Sequence, residues 1–157
     1  MRIKVIFLSV CLILTCRLSQ AQVHDVYFKN LNLRNSIALE GFDPLSYFSG
    51  QPQKGNKDIH YKFRGAEYHF ISSANRQAFI SDPYRYLPEY GGWCAFAMGD
   101  SGDKVDVDPK TFKIIHGKLY LFYNKYFNNT LVDWNENEDM LKKEADRNWN
   151  KILNQHQ

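Results

Sequence analysis

The sequence predicts an α+β fold: one compact domain with two β-hairpins, several short helices and a closing amphipathic helix. Three observations predict it. Two stretches alternate apolar and polar residues around a glycine. A run near the end repeats its apolar residues at helical spacing. Asp-Pro pairs and a Ser-Ser step mark short helix starts between them.

Taken in order, the chain begins with Arg2 and Lys4, then an apolar stretch from Val5 to Leu14, then Ser19-Gln20-Ala21. A charged start, a short apolar middle and small residues at the cleavage positions predict a signal peptide over residues 1–21. Its apolar middle is shorter than the ~20 residues that span a bilayer. The expected product is exported, periplasmic or secreted, with no stable membrane span. Residues 22–36 are polar and aperiodic, which predicts a mobile leader; the folded domain is expected over 37–153 and a tail over 154–157.

Asp43-Pro44, Asp82-Pro83 and Asp108-Pro109 each read as the start of a helical turn, because aspartate caps and proline tolerates the first helical position. A helix is expected from Ser72 or Ser73, burying Ala78 and Phe79. From Glu138 to Leu153, Leu141, Ala145, Trp149 and Ile152 share one face and Lys142, Lys143, Asp146 and Arg147 the other.

"IHYKFRGAEYHFI" (59–71) reads as a hairpin in one of two registers. With Arg64-Gly65 as the turn His60 faces His69; with Gly65-Ala66, Lys62 does. Either way Ile59, Tyr61, Phe63, Tyr68 and Phe70 share the apolar side, and His60, Lys62, Arg64, Glu67 and His69 the polar one. His69 is therefore expected on a charged surface unless another element covers it. "FKIIHGKLYLFY" (112–123) reads as a second hairpin turning at His116-Gly117.

Charge excludes one class of partner. Removing Arg2, Lys4 and Arg17 with the signal takes the 20 basic residues to 17, level with the 17 acidic ones. A neutral chain lacks the positive field that phosphate backbones select, so nucleic acid is not an expected partner. Cys11 and Cys16 leave with the signal too, and Cys94 stands alone with no internal disulfide to make.

Cys94 is the focus of the candidate chemistry. One reading is a small buried thiol packed with Trp93, Phe96 and Met98. A second is a low-pKa thiolate that anchors a soft, copper-like metal ion. Met98 follows four residues on and would share its face on a helix, and His69 would be the imidazole brought across. A third is a redox or nucleophilic cysteine, although spacing marks no histidine-plus-acid partner. "GDSGDKVDVD" (99–108) is rich in aspartate but lacks the glycine and glutamate of the twelve-residue calcium loop. Asn128-Asn129-Thr130 matches the N-glycosylation sequon. Ten tyrosines and eleven phenylalanines mostly reflect core, and any rings beyond what the core can hold would line a groove; the sequence does not divide the two.

Several blocks resemble the YHS domain family, small modules named for a tyrosine-histidine-serine signature. They are "GFDPLSYF" (41–48), "YKFRGAEYHFISS" (61–73) and "FISDPYRYLPEYGGWCAFAM" (79–98). "VDPKTFKIIHGKLYLFY" (107–123) and "EADRNWNKIL" (144–153) resemble the exported, stand-alone branch. The resemblance implies a treble-clef-like core. Metal-associated members carry three cysteines where this chain has Ser46, Ile71 and Asn75, so that ligand set does not transfer. The resulting expectation is an exported small binding module for a soft metal ion or small ligand, not an enzyme. Its pocket would lie where Gly91-Gly92 presents Cys94 to the first hairpin and the helix after Ser73. The alternatives are a structural or protein-interaction domain with Cys94 as inert core, and a thiol enzyme.

Overall fold

Strand β6 (Lys118–Phe122) explains most of the architecture, because it is buried on both faces. Its period-two alternation sends Leu119 and Leu121 into one apolar cluster and Tyr120 and Phe122 into another. A computed structural model describes residues 26–155. The expected signal peptide, residues 22–25 of the leader, and residues 156–157 lie outside the described residues.

The expectation of a mobile leader is corrected from residue 26 onward. A helical segment α1 over 26–29 buries Val26 and Phe28 in the two clusters. Asn30 Nδ2 donates to the Val26 carbonyl (2.8 Å), and Trp93 Nε1 donates to the Asn30 carbonyl (2.8 Å). Strand β1 (Leu33–Arg34) then pairs with β2 (Ile37–Ala38). The segment is too short for its few apolar residues to display a period, and its partners lie some sixty residues away.

The first hairpin joins β3 (Asn56–Phe63) to β4 (Ala66–Phe70) in the register that sets His60 against His69. Arg64 (φ 50°) and Gly65 (φ 85°) form the turn. Both central residues have positive φ, the backbone that matches the twist of the flanking strands. Strand β2 adds to β4 in parallel, giving a four-stranded sheet of order β1-β2-β4-β3. Tyr68 and Phe70 of β4 pack on Phe79 of α2 (Ser73–Ser81), whose start is capped by Ser72 accepting from the Asn75 amide.

The second hairpin pairs β5 (Asp108–Ile115) with β6 and turns at His116-Gly117, as expected. Asp108-Pro109 opens this strand, not a helix. The Asp108 carboxylate accepts from the Lys110 amide and the Thr111 hydroxyl, and the ladder shifts register before Phe112, where proline costs no ladder bond.

The Asp82-Pro83 pair does start a 3-10 turn, Pro83–Tyr86. Further on come α3 (Ala95–Asp100), β7 (Asn124–Lys125), β8 (Asn128–Asn129), α4 (Thr130–Glu136) and α5 (Glu138–Asn154). Helix α5 buries Leu141, Ala145, Trp149 and Leu153. It lies so close to α3 that a Cβ on Gly99 would stand 2.5 Å from the Leu141 carbonyl oxygen. Only glycine permits that approach. The β7–β8 tip leaves Tyr126 and Phe127 fully in solvent. The domain is α+β, and no helix among the described residues is long and apolar enough to cross a membrane.

Candidate functional site

Cys94 follows the 3-10 turn Glu89–Gly92 and sits just before α3. Its amide donates to the Val105 carbonyl (2.9 Å), and it bridges in parallel to Leu121 of β6. The sulfur has polar company of its own. The Tyr123 amide donates to Sγ (3.3 Å), and Thr130 Oγ1 lies 3.4 Å away. Thr130 spends its hydroxyl proton on the Tyr123 carbonyl (3.0 Å), which leaves the Cys94 thiol to donate to Thr130. A shallow surface groove lined by Phe96, Asp100, Ser101 and Asn128 lies over this position. Cys94 forms its floor with 0% of its surface exposed.

Met98 is also fully buried, but in the other cluster, among side chains of α5. Its expected pairing with Cys94 assumed that both lie on one helix. Cys94 has ψ 118° and caps the helix from outside, so four-residue spacing does not align their side chains.

His69 is covered, contrary to the charged-surface expectation, and only 8% exposed. The cover comes from earlier chain. A Cβ on Gly41 would lie 3.1 Å from Nδ1, and one on Gly55 would lie 2.4 Å from the His69 carbonyl carbon. Its Nε2 bonds Glu67 Oε1 (2.9 Å), and this hydrogen bond holds the Glu67 carboxyl below its ordinary range. Strand alternation sends Tyr68 and Phe70 into the cluster that contains Cys94, and His69 to the opposite face. His60 stands across from it in the ladder, yet its Nδ1 is taken by the Lys57 carbonyl. Cys94, His69 and Met98 thus point into three different surroundings. Among the described residues, no group of three or more His, Cys, Asp and Glu is placed to hold a metal ion. The aspartates of 99–108 are likewise dispersed: Asp103 accepts from Ser101, Asp106 pairs with Arg34, and Asp108 turns to its own strand.

Ser46, Ile71 and Asn75 are tied together by hydrogen bonds around one carboxylate. Asp43 is fully buried, and its carboxylate accepts from the amides of Leu45 and Ile71 and from Asn75 Nδ2, each at 2.8 Å. Ser46 donates to the Asp43 carbonyl (2.6 Å) and accepts from the Gln53 amide (2.9 Å). One buried carboxylate with three donors joins the segment of Ser46 to Ile71 and Asn75.

Aromatic side chains gather elsewhere into an open groove. Tyr27, Tyr84, Tyr90, Trp149 and Glu89 line it over Leu87 and Pro88, around a cavity of about 170 Å³. The rings stand as walls: Tyr27 meets Trp149 at 86° with centroids 5.9 Å apart, and Tyr90 meets Trp149 at 67° and 6.4 Å. The hydroxyls pin them, since Tyr27 donates to the Pro88 carbonyl (2.7 Å) and Tyr90 to Asp146 Oδ1 (2.8 Å). Burial is the main cause that pushes both phenols well above their ordinary range, so both walls stay uncharged. Tyr90 is held at φ 52°, a left-handed backbone that costs a bulky residue about 1–3 kcal/mol. Gly91 follows at φ 63°, where a Cβ would press within 3.0 Å of Trp149 Cη2.

A cavity beside the Gly91-Gly92 turn holds only about 20 Å³, room for a water and little else, and neither Cys94 nor any residue of α2 lines it, so it is not the expected pocket. Aromatic richness was the one signal for the groove. Its walls are scattered over positions 27, 84, 90 and 149, and Tyr27 lies in the stretch read as leader. No protein-family model matches the chain, and neither does any curated protein or solved structure.

Proposed function

We propose that this protein is an exported, non-catalytic binding module on a YHS-type scaffold, with the aromatic groove as its ligand surface and Cys94 as a structural thiol. The observation that carries the reading is the groove itself. Two of its rings, Tyr27 and Tyr90, are fixed by hydrogen bonds, the second on a strained turn, and the groove opens to the surface beside the exposed Tyr84 and one carboxylate. Strain held in place by its surroundings concentrates where proteins bind ligands, and aromatic rings with a few polar groups are the usual lining of such sites. The Asp43 knot supports the scaffold assignment, because it links the positions that the family resemblance singles out. Burial of Cys94 beneath Thr130 and β6 favours core packing over a soft-metal anchor.

Amide chemical-shift mapping with a library of small fragments tests the reading. Shifts are expected to cluster at residues 27, 84, 89–90 and 149. Fragments that move other residues, or none, remove the groove as the ligand surface. A Cu(I) titration under reducing conditions, run beside Cys94→Ser, addresses the metal alternative; equal and weak uptake by both proteins is expected.

A further inference from the structure

The small cavity beside the Gly91-Gly92 turn is lined by a residue whose hydroxyl the protein itself does not bond. Three buried hydroxyls among the described residues, on Tyr47, Tyr68 and Tyr120, have no hydrogen-bond partner within the protein. A hydroxyl taken out of water without a new bond is costly to bury. Of the three, Tyr68 alone lines this cavity, and it is 1% exposed. An ionised Tyr68 would raise the Tyr27 phenol, so the two hydroxyls are neighbours. Tyr27 in turn donates to the Pro88 carbonyl (2.7 Å), which sets the Tyr68 hydroxyl toward the Pro88 side of the cavity.

The backbone on that side supplies acceptors. Pro88, Gly91 and Gly92 also line the cavity. Their carbonyls each accept one bond, from Tyr27, from the Asn32 amide (2.9 Å) and from Asn32 Nδ2 (3.3 Å) respectively. A carbonyl oxygen has two lone pairs, so each keeps capacity for another donor. A ligand here must therefore accept one hydrogen bond and can return two. Size decides which ligand that is. About 20 Å³ exceeds the roughly 10–15 Å³ that one water needs and leaves no space for a carbon skeleton.

From these features we infer that the cavity binds one internal water, which accepts from the Tyr68 hydroxyl and donates to carbonyls of the segment 88–92. The water ties β4 to the turn that holds Tyr90 in its left-handed backbone. Pro88 also lines the aromatic groove, so one residue forms a wall of both spaces. The inference holds whether or not the groove takes a ligand.

A high-resolution crystal structure of the purified protein reads the site directly. One ordered water is expected within hydrogen-bond distance of Tyr68 Oη and of at least one carbonyl of Pro88, Gly91 or Gly92. A dry cavity overturns the inference, and so does a water that leaves the Tyr68 hydroxyl out. Urea unfolding of Tyr68→Phe gives a second reading that needs no crystal. The ring keeps its packing on Phe79, so the change isolates the hydroxyl. Removing a hydroxyl bonded to water strips the folded state of a bond, and the unfolding equilibrium constant should rise about fivefold. Removing an unbonded buried hydroxyl relieves the folded state instead. A constant that is unchanged or lower in Tyr68→Phe therefore overturns the inference.

Discussion

The segment from Pro88 to Cys94 has two ends with opposite fates. At one end Glu89 and Tyr90 reach an open groove of fixed rings. At the other Cys94, the most reactive side-chain type nearby, is closed under β6, Tyr123 and Thr130. The contrast teaches that residue chemistry alone does not locate a site. A thiol shut away from water with its hydrogen bonds satisfied behaves as a small apolar filler, whereas the groove opens beside ordinary tyrosines, of which Tyr84 is half exposed. The same strained turn serves both ends. Its left-handed residues Tyr90, Gly91 and Gly92 reverse the chain between groove and core.

The largest expected effect is on thiol reactivity. If Cys94 is closed, alkylation must wait for an opening of the fold, and the rate in native buffer should fall at least about a thousandfold below that of the denatured chain, roughly 4 kcal/mol of protection. Mass spectrometry of iodoacetamide-treated protein, with and without denaturant, reads this directly. Fast native labelling would erase the contrast and restore Cys94 as a candidate site.

Next in size is alkaline stability. Burial, the first cause in each case, raises the phenols of Tyr47, Tyr68, Tyr90 and Tyr120 above their ordinary value. In the unfolded chain they ionise near pH 10. A folded-state pKa that is raised gives stability that is complete below about pH 10 and lost as pH climbs toward the folded value. Each such tyrosine should subtract about 1.4 kcal/mol per pH unit in that window. Denaturant titrations at about pH 9, 10 and 11 should show a steep fall, with tyrosinate absorbance rising together with unfolding. Ionisation of these phenols ahead of unfolding would mean that the core is open.

Gly91 tests the turn between the two ends. Gly91→Ala adds a Cβ 3.0 Å from both the Asn30 carbonyl and Trp149 Cη2, at a φ of 63° that side chains tolerate poorly. A loss of about 2 kcal/mol in denaturant stability is expected. A neutral result would show that the turn relaxes freely and that the groove walls are not set by it.

How much of this was legible depends on sequence distance. Both hairpins, the cap at Ser72 and the amphipathic face of α5 follow from neighbours within a few residues, and alternation or helical spacing displays them. The cover over His69 does not, because β2 joins β4 in parallel and Gly41 and Gly55 close from outside the hairpin. The leader failed for the same reason: Val26 and Phe28 become core only when residues far along the chain meet them. Cys94 was singled out by its residue type, but its Thr130 partner sits in what reads as a glycosylation sequon. Trp149 reads from spacing as core, and it is 7% exposed; only the fold shows that this remaining edge forms a groove wall.

The smallest expected effect separates two roles for Thr130. Its hydroxyl lies between the Cys94 sulfur and the Tyr123 carbonyl. Thr130→Val keeps the shape and removes the hydroxyl, leaving the Tyr123 carbonyl with the Thr130 amide as its remaining donor (3.0 Å) and the thiol short of an acceptor, a loss of about 1 kcal/mol. If the hydroxyl only packs the closed end, alkylation of Cys94 should quicken by about fivefold, in step with that lost stability. If it instead activates the thiol, the rate should fall while stability barely moves. Urea unfolding and thiol labelling measured on the same variant distinguish the two, because a structural partner moves both readouts together and an activating one moves them apart.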